Sequence, residues 1–233
     1  MDRGINMSDT YIDVNSELIV KYEYNVDKMY TYLRGFLVGA GMNESLKALQ
    51  FAREKHAGQT RKNGTPYIVH PLQMACYAVA LGIKNDNTIA TILYHDVPED
   101  CNVEVDNLPT NSEVKHAVKC VTISPLKTDK DKLETKRRYF SNLLESPHAV
   151  ICKGIDRYMN LSDMPFALSS TSVAKNVAET EILLLPVLKE AKEKWTELSD
   201  ILFILRNNIR GINDILKLQY EDEYIEWYRK YTE

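Results

Sequence analysis

The chain has 233 residues, 44% apolar and 27% charged, with a formal net charge of −4. That is an ordinary globular composition, long enough to bury a core without disulfide staples. The slight acidic excess argues against bulk nucleic-acid binding, which needs many surplus Lys and Arg, but leaves room for a local pocket for one small-molecule nucleotide. Apolar stretches such as Met74–Ile83 and Ile182–Leu188 are too short to span a bilayer, so no membrane attachment is expected. The opening residues MDRGINMSDTYIDVN lack the apolar run of a secretory signal. Cys76, Cys101, Cys120 and Cys152 form no CxxC pair. Both features fit a cytoplasmic protein with reduced thiols. Cys76 and Cys120 lie on apolar helical patterns and are expected as small buried hydrophobes.

Helical periodicity dominates the chain, and the expected fold is all-α. Residues 1–42 read as an N-terminal extension with a short helix around Val26–Val38. Leu46, Leu49 and Ala52 repeat at helical spacing from Asn43, the expected cap, to about Gln59. RKNGTPY is a Gly/Pro loop. Pro71 is expected to open the next helix at its first position and Gly82 to close it. Asn87 or Thr88 should cap a third helix bearing Ile89, Ile92 and Leu93. Pro98 should end or bend that helix just after His95 and Asp96.

Asn107–Ser112 reads as non-helical, and Val114, Ala117, Val118 and Val121 mark another helix. Lys127–Arg138 sets six basic side chains against three acidic ones. It reads as a solvated helix start, with a basic flap over a phosphate site as the alternative. Helices over 131–146, 147–164 and 172–192 follow, the last bent near Pro186. Trp195, Leu198, Ile201, Leu202, Leu205, Ile209, Ile212, Ile215 and Leu216 hold one apolar stripe through a long helix. Tyr220, Tyr224, Trp227, Tyr228 and Tyr231 share one helix face. That stripe is expected to pack on the protein's own core, with a homo-oligomer contact as the second reading. The expected organisation is an extension to residue 42, one helical domain over 43–192, and C-terminal helices over 193–233 packed on it.

The chemistry lies in polar residues at the ends of apolar runs. His95 and Asp96 follow ATILY. Adjacent helix positions diverge by about 100°, so the two can only flank one point near the helix edge. A metal ion there would satisfy both and remove the cost of a buried carboxylate. Asp156 ends a similar run in VICKGIDRYMN, and His70 stands in YIVHP. Two imidazoles with two carboxylates suit a divalent first-row ion such as Mn, Fe or Zn, and an open coordination position favours Mn2+. Glu99 and Asp100, three and four residues beyond Asp96, are placed to orient an attacking water or take its proton. His56 is expected as a hydrogen-bonded structural histidine. His116 and His148 are expected at the surface.

These residues fall within a broader, ordered pattern. ALQFAREKHAGQTRKNGTPYIVHPL, TILYHDVPED, CKGIDRYMNLSDM and KNVAETEILLLPVL together resemble the hydrolase domain of RelA/SpoT proteins and of the small alarmone hydrolases, a group similar to the metazoan SpoT homologue. The resemblance covers roughly residues 43–190, and no synthetase domain is expected after it. It implies an HD-domain helical bundle with extra N- and C-terminal helices. It also implies Mn2+ held by His70, His95, Asp96 and Asp156, with Glu99 and Asp100 serving the attacking water. By the same resemblance Arg61 stacks on guanine, a sound role for a planar guanidinium. Lys62 lies near phosphate or base edges, and Asn160 meets the ribose. The implied reaction releases pyrophosphate from the 3′ position of ppGpp or pppGpp, leaving GDP or GTP.

Four positions depart from the family text. Met159 replaces a histidine, Ser162 and Asp163 replace Arg-Thr, and Cys101 replaces a threonine. A carboxylate at Asp163 is unfavourable beside a polyphosphate if it faces the ligand. Two further readings therefore stay open: an HD-type phosphohydrolase acting on another nucleotide such as NADPH, and a catalytically silent nucleotide-binding module.

Overall fold

The structure is a computed structural model describing residues 25–61, 64–123 and 129–232, with side chains of the last segment from residue 133 onward. Helices α1 (Val26–Gly39), α2 (Asn43–Lys55), α3 (Val69–Ala80) and α4 (Asp86–Tyr94) form the first half, followed by the single turn α5 (Val97–Asp100) and α6 (Ser112–Val121). The second half is α7 (Asp129–Asn142), α8 (Pro147–Ala167), α9 (Ser170–Glu179), α10 (Leu185–Lys194), α11 (Ser199–Gln219) and α12 (Glu221–Thr232). Among the described residues there is no β-strand, only an isolated bridge between Thr60 and Pro66 that closes the loop before α3. The all-helical expectation holds.

One continuous core runs from Leu33 and Leu37 on α1 to Tyr231 on α12. Helix α4 is its axis. Every residue from Thr88 to Tyr94 is buried between α2, α3, α6 and α8. At Gly154 on α8 an added Cβ would lie 3.3 Å from a methyl of Leu205, so glycine lets α11 approach α8 closely.

The helix starts correct several expectations. Asn43 is the first residue of α2, not its cap. The first-turn N–H groups of Glu44 and Ser45 donate instead to the carboxylate of Asp86, at 2.9 and 2.8 Å. A carboxylate from α4 thus satisfies the orphan donors of a neighbouring helix. Asn85, rather than Asn87 or Thr88, caps α4 by accepting from the Thr88 N–H at 3.0 Å. Helix α3 begins at Val69, which places Pro71 third rather than first. The first-turn N–H groups need no intrahelical acceptor, so proline still fits there. Gly82, at φ +81°, closes α3 as expected.

The helix expected over 172–192 is split. A π-helical turn, Thr180–Leu184, separates α9 from α10 just before Pro186. Proline cannot donate the ladder hydrogen bond, and one widened turn absorbs the gap. Trp195 and Leu198 precede α11 instead of lying on it, and Ile215 is 66% exposed. Of the terminal aromatics, Tyr224 and Tyr231 are buried and Tyr228 is the most exposed, so much of the stripe packs inward on α9. Residues 1–24, Lys62 and the stretch 124–128 in the basic segment lie outside the described residues. No helix is long and apolar enough to cross a membrane among the described residues.

Candidate functional site

His70, His95, Asp96 and Asp156 meet on one side of α4. His70 sits in the first turn of α3, His95 follows the last residue of α4, Asp96 precedes α5, and Asp156 lies mid-way along α8. Their facing atoms form a ring in which nitrogen and oxygen alternate. His70 Nε2 is 3.2 Å from Asp156 Oδ1 and 3.9 Å from Asp96 Oδ2. His95 Nε2 is 3.0 Å from Asp96 Oδ2 and 3.9 Å from Asp156 Oδ1.

The orientation of His95 tests whether a metal fits. Its Nδ1 donates to the Ile92 carbonyl at 2.8 Å, which turns Nε2 toward the carboxylates. That Nε2 is buried and makes no hydrogen bond. A buried imidazole nitrogen without a hydrogen bond, facing two carboxylates and a second imidazole, is costly without an ion and suited to one. The donor set matches a first-row divalent cation.

The two carboxylates favour a positive charge at this nitrogen, whether a proton or an ion. Burial opposes a charge on His95, yet Asp96 and Asp156 outweigh it and raise its pKa to about 9. Burial would likewise raise Asp156, but the Lys153 ammonium and the two imidazoles hold it well below the ordinary carboxylate range.

The surrounding contacts were only partly foreseen. Tyr67 donates from its hydroxyl to Asp96 at 2.7 Å and stacks on His56 with ring centroids 4.7 Å apart. Lys153 donates to Asp156 Oδ2 at 2.7 Å. Neither was singled out from the sequence, although Lys153 stands three residues before Asp156, the spacing of helical neighbours. Arg157, buried beside them, donates to Glu179 at 2.8 Å and to the Asn176 side chain at 3.0 Å, tying α8 to α9. Glu99 accepts from the Ile123 N–H at 2.7 Å, and burial lifts its pKa above the usual range. Burial and Asp96 push the pKa of the Tyr67 hydroxyl up, and Asp100 lies close enough to raise it further.

A cleft of about 380 Å³ opens beside the ring, lined by Thr60, Arg61, Tyr67 and Asn160 and floored by Met164 and Leu168. Asn160 belongs to both regions. Its Nδ2 donates to Asp156 at 2.6 Å, and its Oδ1 accepts from Arg61 at 3.0 Å. Arg61 also pairs with Asp163 at 3.0 Å. Asp163 therefore faces the cleft, whereas the exposed Ser162 hydrogen-bonds back to the Tyr158 carbonyl of its own helix. Met159 packs against the core, and the Cys101 thiol contacts Lys55 and His56 at the end of α2.

One histidine was misread. His148 is 6% exposed, with Nδ1 2.8 Å from the Thr88 hydroxyl and Nε2 2.7 Å from Glu113. Its polar neighbours in sequence suggested the surface, but its partners come from α4 and α6. His56, as expected, is buried and bonded to Gln59 at 2.7 Å.

Residues 48–173, more than half the chain, match the HD domain family, and the chain belongs to it. Within that family the sequence is similar to enzymes of RelA/SpoT type. It is 33% identical over 124 residues to guanosine-3′,5′-bis(diphosphate) 3′-pyrophosphohydrolase of Aquifex aeolicus, covering 52% of this chain and 18% of that protein. It is 30% identical over 166 residues to the probable enzyme of that name from Synechocystis, covering 67% of this chain and 21% of the relative. It is 32% identical over 168 residues to bifunctional (p)ppGpp synthase/hydrolase RelA of Mycobacterium tuberculosis, covering 68% and 21% respectively. The chain thus spans about a fifth of the length of these curated relatives.

Proposed function

We propose that the protein is a metal-dependent phosphohydrolase that removes the 3′-pyrophosphate of ppGpp or pppGpp, with Mn2+ as its ion. The observation that carries this reading is Asn160, whose one amide joins the His–Asp ring to the cleft, where by family resemblance it would meet a nucleotide's sugar. In this reading His70, His95, Asp96 and Asp156 hold the ion. A divalent ion supplies a Lewis acid for a phosphoryl oxygen and acidifies water. Glu99, with its raised pKa, accepts a proton from the attacking water, and Asp100 orients that water. Arg61, fixed edge-on by Asn160 and Asp163, offers a face to the purine, and Met164 and Leu168 shield the other side from water. Lys62 is assigned to phosphate or base edges by family resemblance alone.

The test is a product assay with Mn2+-loaded protein on ppGpp, pppGpp and NADPH. Pyrophosphate with GDP or GTP is expected from the first two, and neither product in Asp96→Ala. An Mn2+-loaded protein that leaves both guanosine substrates intact would overturn the proposal. Phosphate from NADPH alone would reassign the substrate, and nucleotide binding without turnover would leave a silent binding module.

A further inference from the structure

The seam between α6 and the start of α8 carries two histidine–carboxylate contacts that differ in kind. In one, His148 from α8 meets Glu113 from α6 at 2.7 Å, a closed hydrogen bond. In the other, His116 on α6 faces Glu145, at the end of the 3-10 turn Leu143–Glu145 that leads into α8. That contact stays open. His116 Nε2 is 3.9 Å from Glu145 Oε2, although both side chains are more than half exposed and free to approach. Near the same nitrogen, 3.8 Å away, lies the sulfur of Cys120, one helical turn along α6 and 6% exposed. The three donor atoms all lie within 4.8 Å of one another.

Such spacing is too long for a hydrogen bond to Glu145 and leaves Cys120 only a long thiol contact. It is close to what a shared ion imposes: metal–sulfur and metal–nitrogen bonds of about 2.3 and 2.0 Å at tetrahedral angles hold their donors roughly 3.5 Å apart. One thiolate, one imidazole and one carboxylate form a set of intermediate softness that selects Zn2+ over Mg2+ or Ca2+. Two anionic donors also neutralise a divalent charge.

We propose that Cys120, His116 and Glu145 form a second metal site, separate from the His–Asp ring, that takes Zn2+ or a similar thiophilic divalent ion. The ion staples α6 to the segment that launches α8, the helix bearing Asp156. As the sulfur–metal bond forms, the thiol proton leaves to solvent, and the fourth coordination position stays open to water.

Cobalt(II) tests this on the full-length protein without reference to turnover. The His–Asp ring contains no sulfur, so cobalt bound there gives no thiolate-to-metal absorption in the near ultraviolet. Titration with cobalt(II) should produce that absorption, saturating at one ion per chain. His116→Ala, a change at an exposed position, should abolish it, Cys120→Ser should do the same, and Glu145→Gln should weaken cobalt binding at least about tenfold. No thiolate band in the wild-type protein overturns the proposal. So does a band that survives both His116→Ala and Glu145→Gln, since it would belong to another thiol.

Discussion

The His–Asp ring and the cleft beside it are neighbours on α8, yet they are held in place by different physics. In the ring, His70, His95 and Asp156 are buried, and each would be expensive to leave unpaired. The Ile92 carbonyl orients His95, and Lys153 and Asn160 hold Asp156. In the cleft the decisive contact is the Arg61–Asp163 pair, whose side chains are 22% and 42% exposed. A pair that wet contributes about 0–1 kcal/mol, so it can be exchanged at small cost to the fold. In the proposed reading the ring constrains the chemistry, and the cleft is where one nucleotide would be preferred over another.

Breaking the ring should have the largest effect. Asp96→Ala removes one expected ligand and the acceptor of the Tyr67 hydroxyl. A divalent ion contributes several kcal/mol of transition-state stabilisation, so pyrophosphate release should fall by about 10³-fold or more. Metal analysis of the purified variant should show the ion depleted. A variant with full metal content and normal turnover would remove Asp96 from the ligand set.

Glu99→Gln comes next, at about 10²-fold, the lower end of what a positioned proton acceptor supplies. Burial raises the Glu99 pKa, only partly offset by the Ile123 N–H. Proton acceptance needs the carboxylate, so the wild-type rate should decline as pH falls through that raised value. The same limb should be absent from the pH–rate profile of Glu99→Gln. Tyr67→Phe should act more gently, through the metal. It strips a hydrogen bond from Asp96 and should weaken Mn2+ affinity by about tenfold, with turnover restored at saturating metal.

The same contrast explains what was legible in the sequence. The four ring residues each end an apolar run, and a costly polar group at such a place is visible along a single segment. Ile92, Lys153 and Asn160 support the ring from within four residues, but other contacts come from elsewhere in the chain and leave no such mark. Tyr67 reaches Asp96 across 29 positions, and His148 finds Glu113 across 35. Asp86 caps α2 from 41 and 42 residues away, which is why Asn43 looked like the cap. Helical periodicity located most elements, but it could not show that Pro186 would be accommodated by a π turn, or that α11 would begin only after Trp195. Asp163 was visible as a departure from the family text. Its pairing with Arg61 depends on the loop folding back against α8.

The smallest effect, and the most discriminating, belongs to Asp163. Its carboxylate does two opposing things to an anionic nucleotide: it repels phosphate, and it steadies Arg61. Two substitutions separate them. Asp163→Asn removes the charge but keeps an amide oxygen for the Arg61 N–H, whereas Asp163→Thr shortens the side chain and loses the hold as well. Because the contact is solvent-screened, melting temperatures should barely move. If repulsion outweighs steadying, KM for ppGpp falls in both variants with kcat unchanged, by about threefold in Asp163→Asn and less in Asp163→Thr. The gain should shrink as salt is raised, because exposed charges are screened. A KM that rises in Asp163→Thr and returns in Asp163→Asn would show the opposite balance. Asp163 would then count as a support for Arg61, and the cleft would be held by geometry, as the ring is.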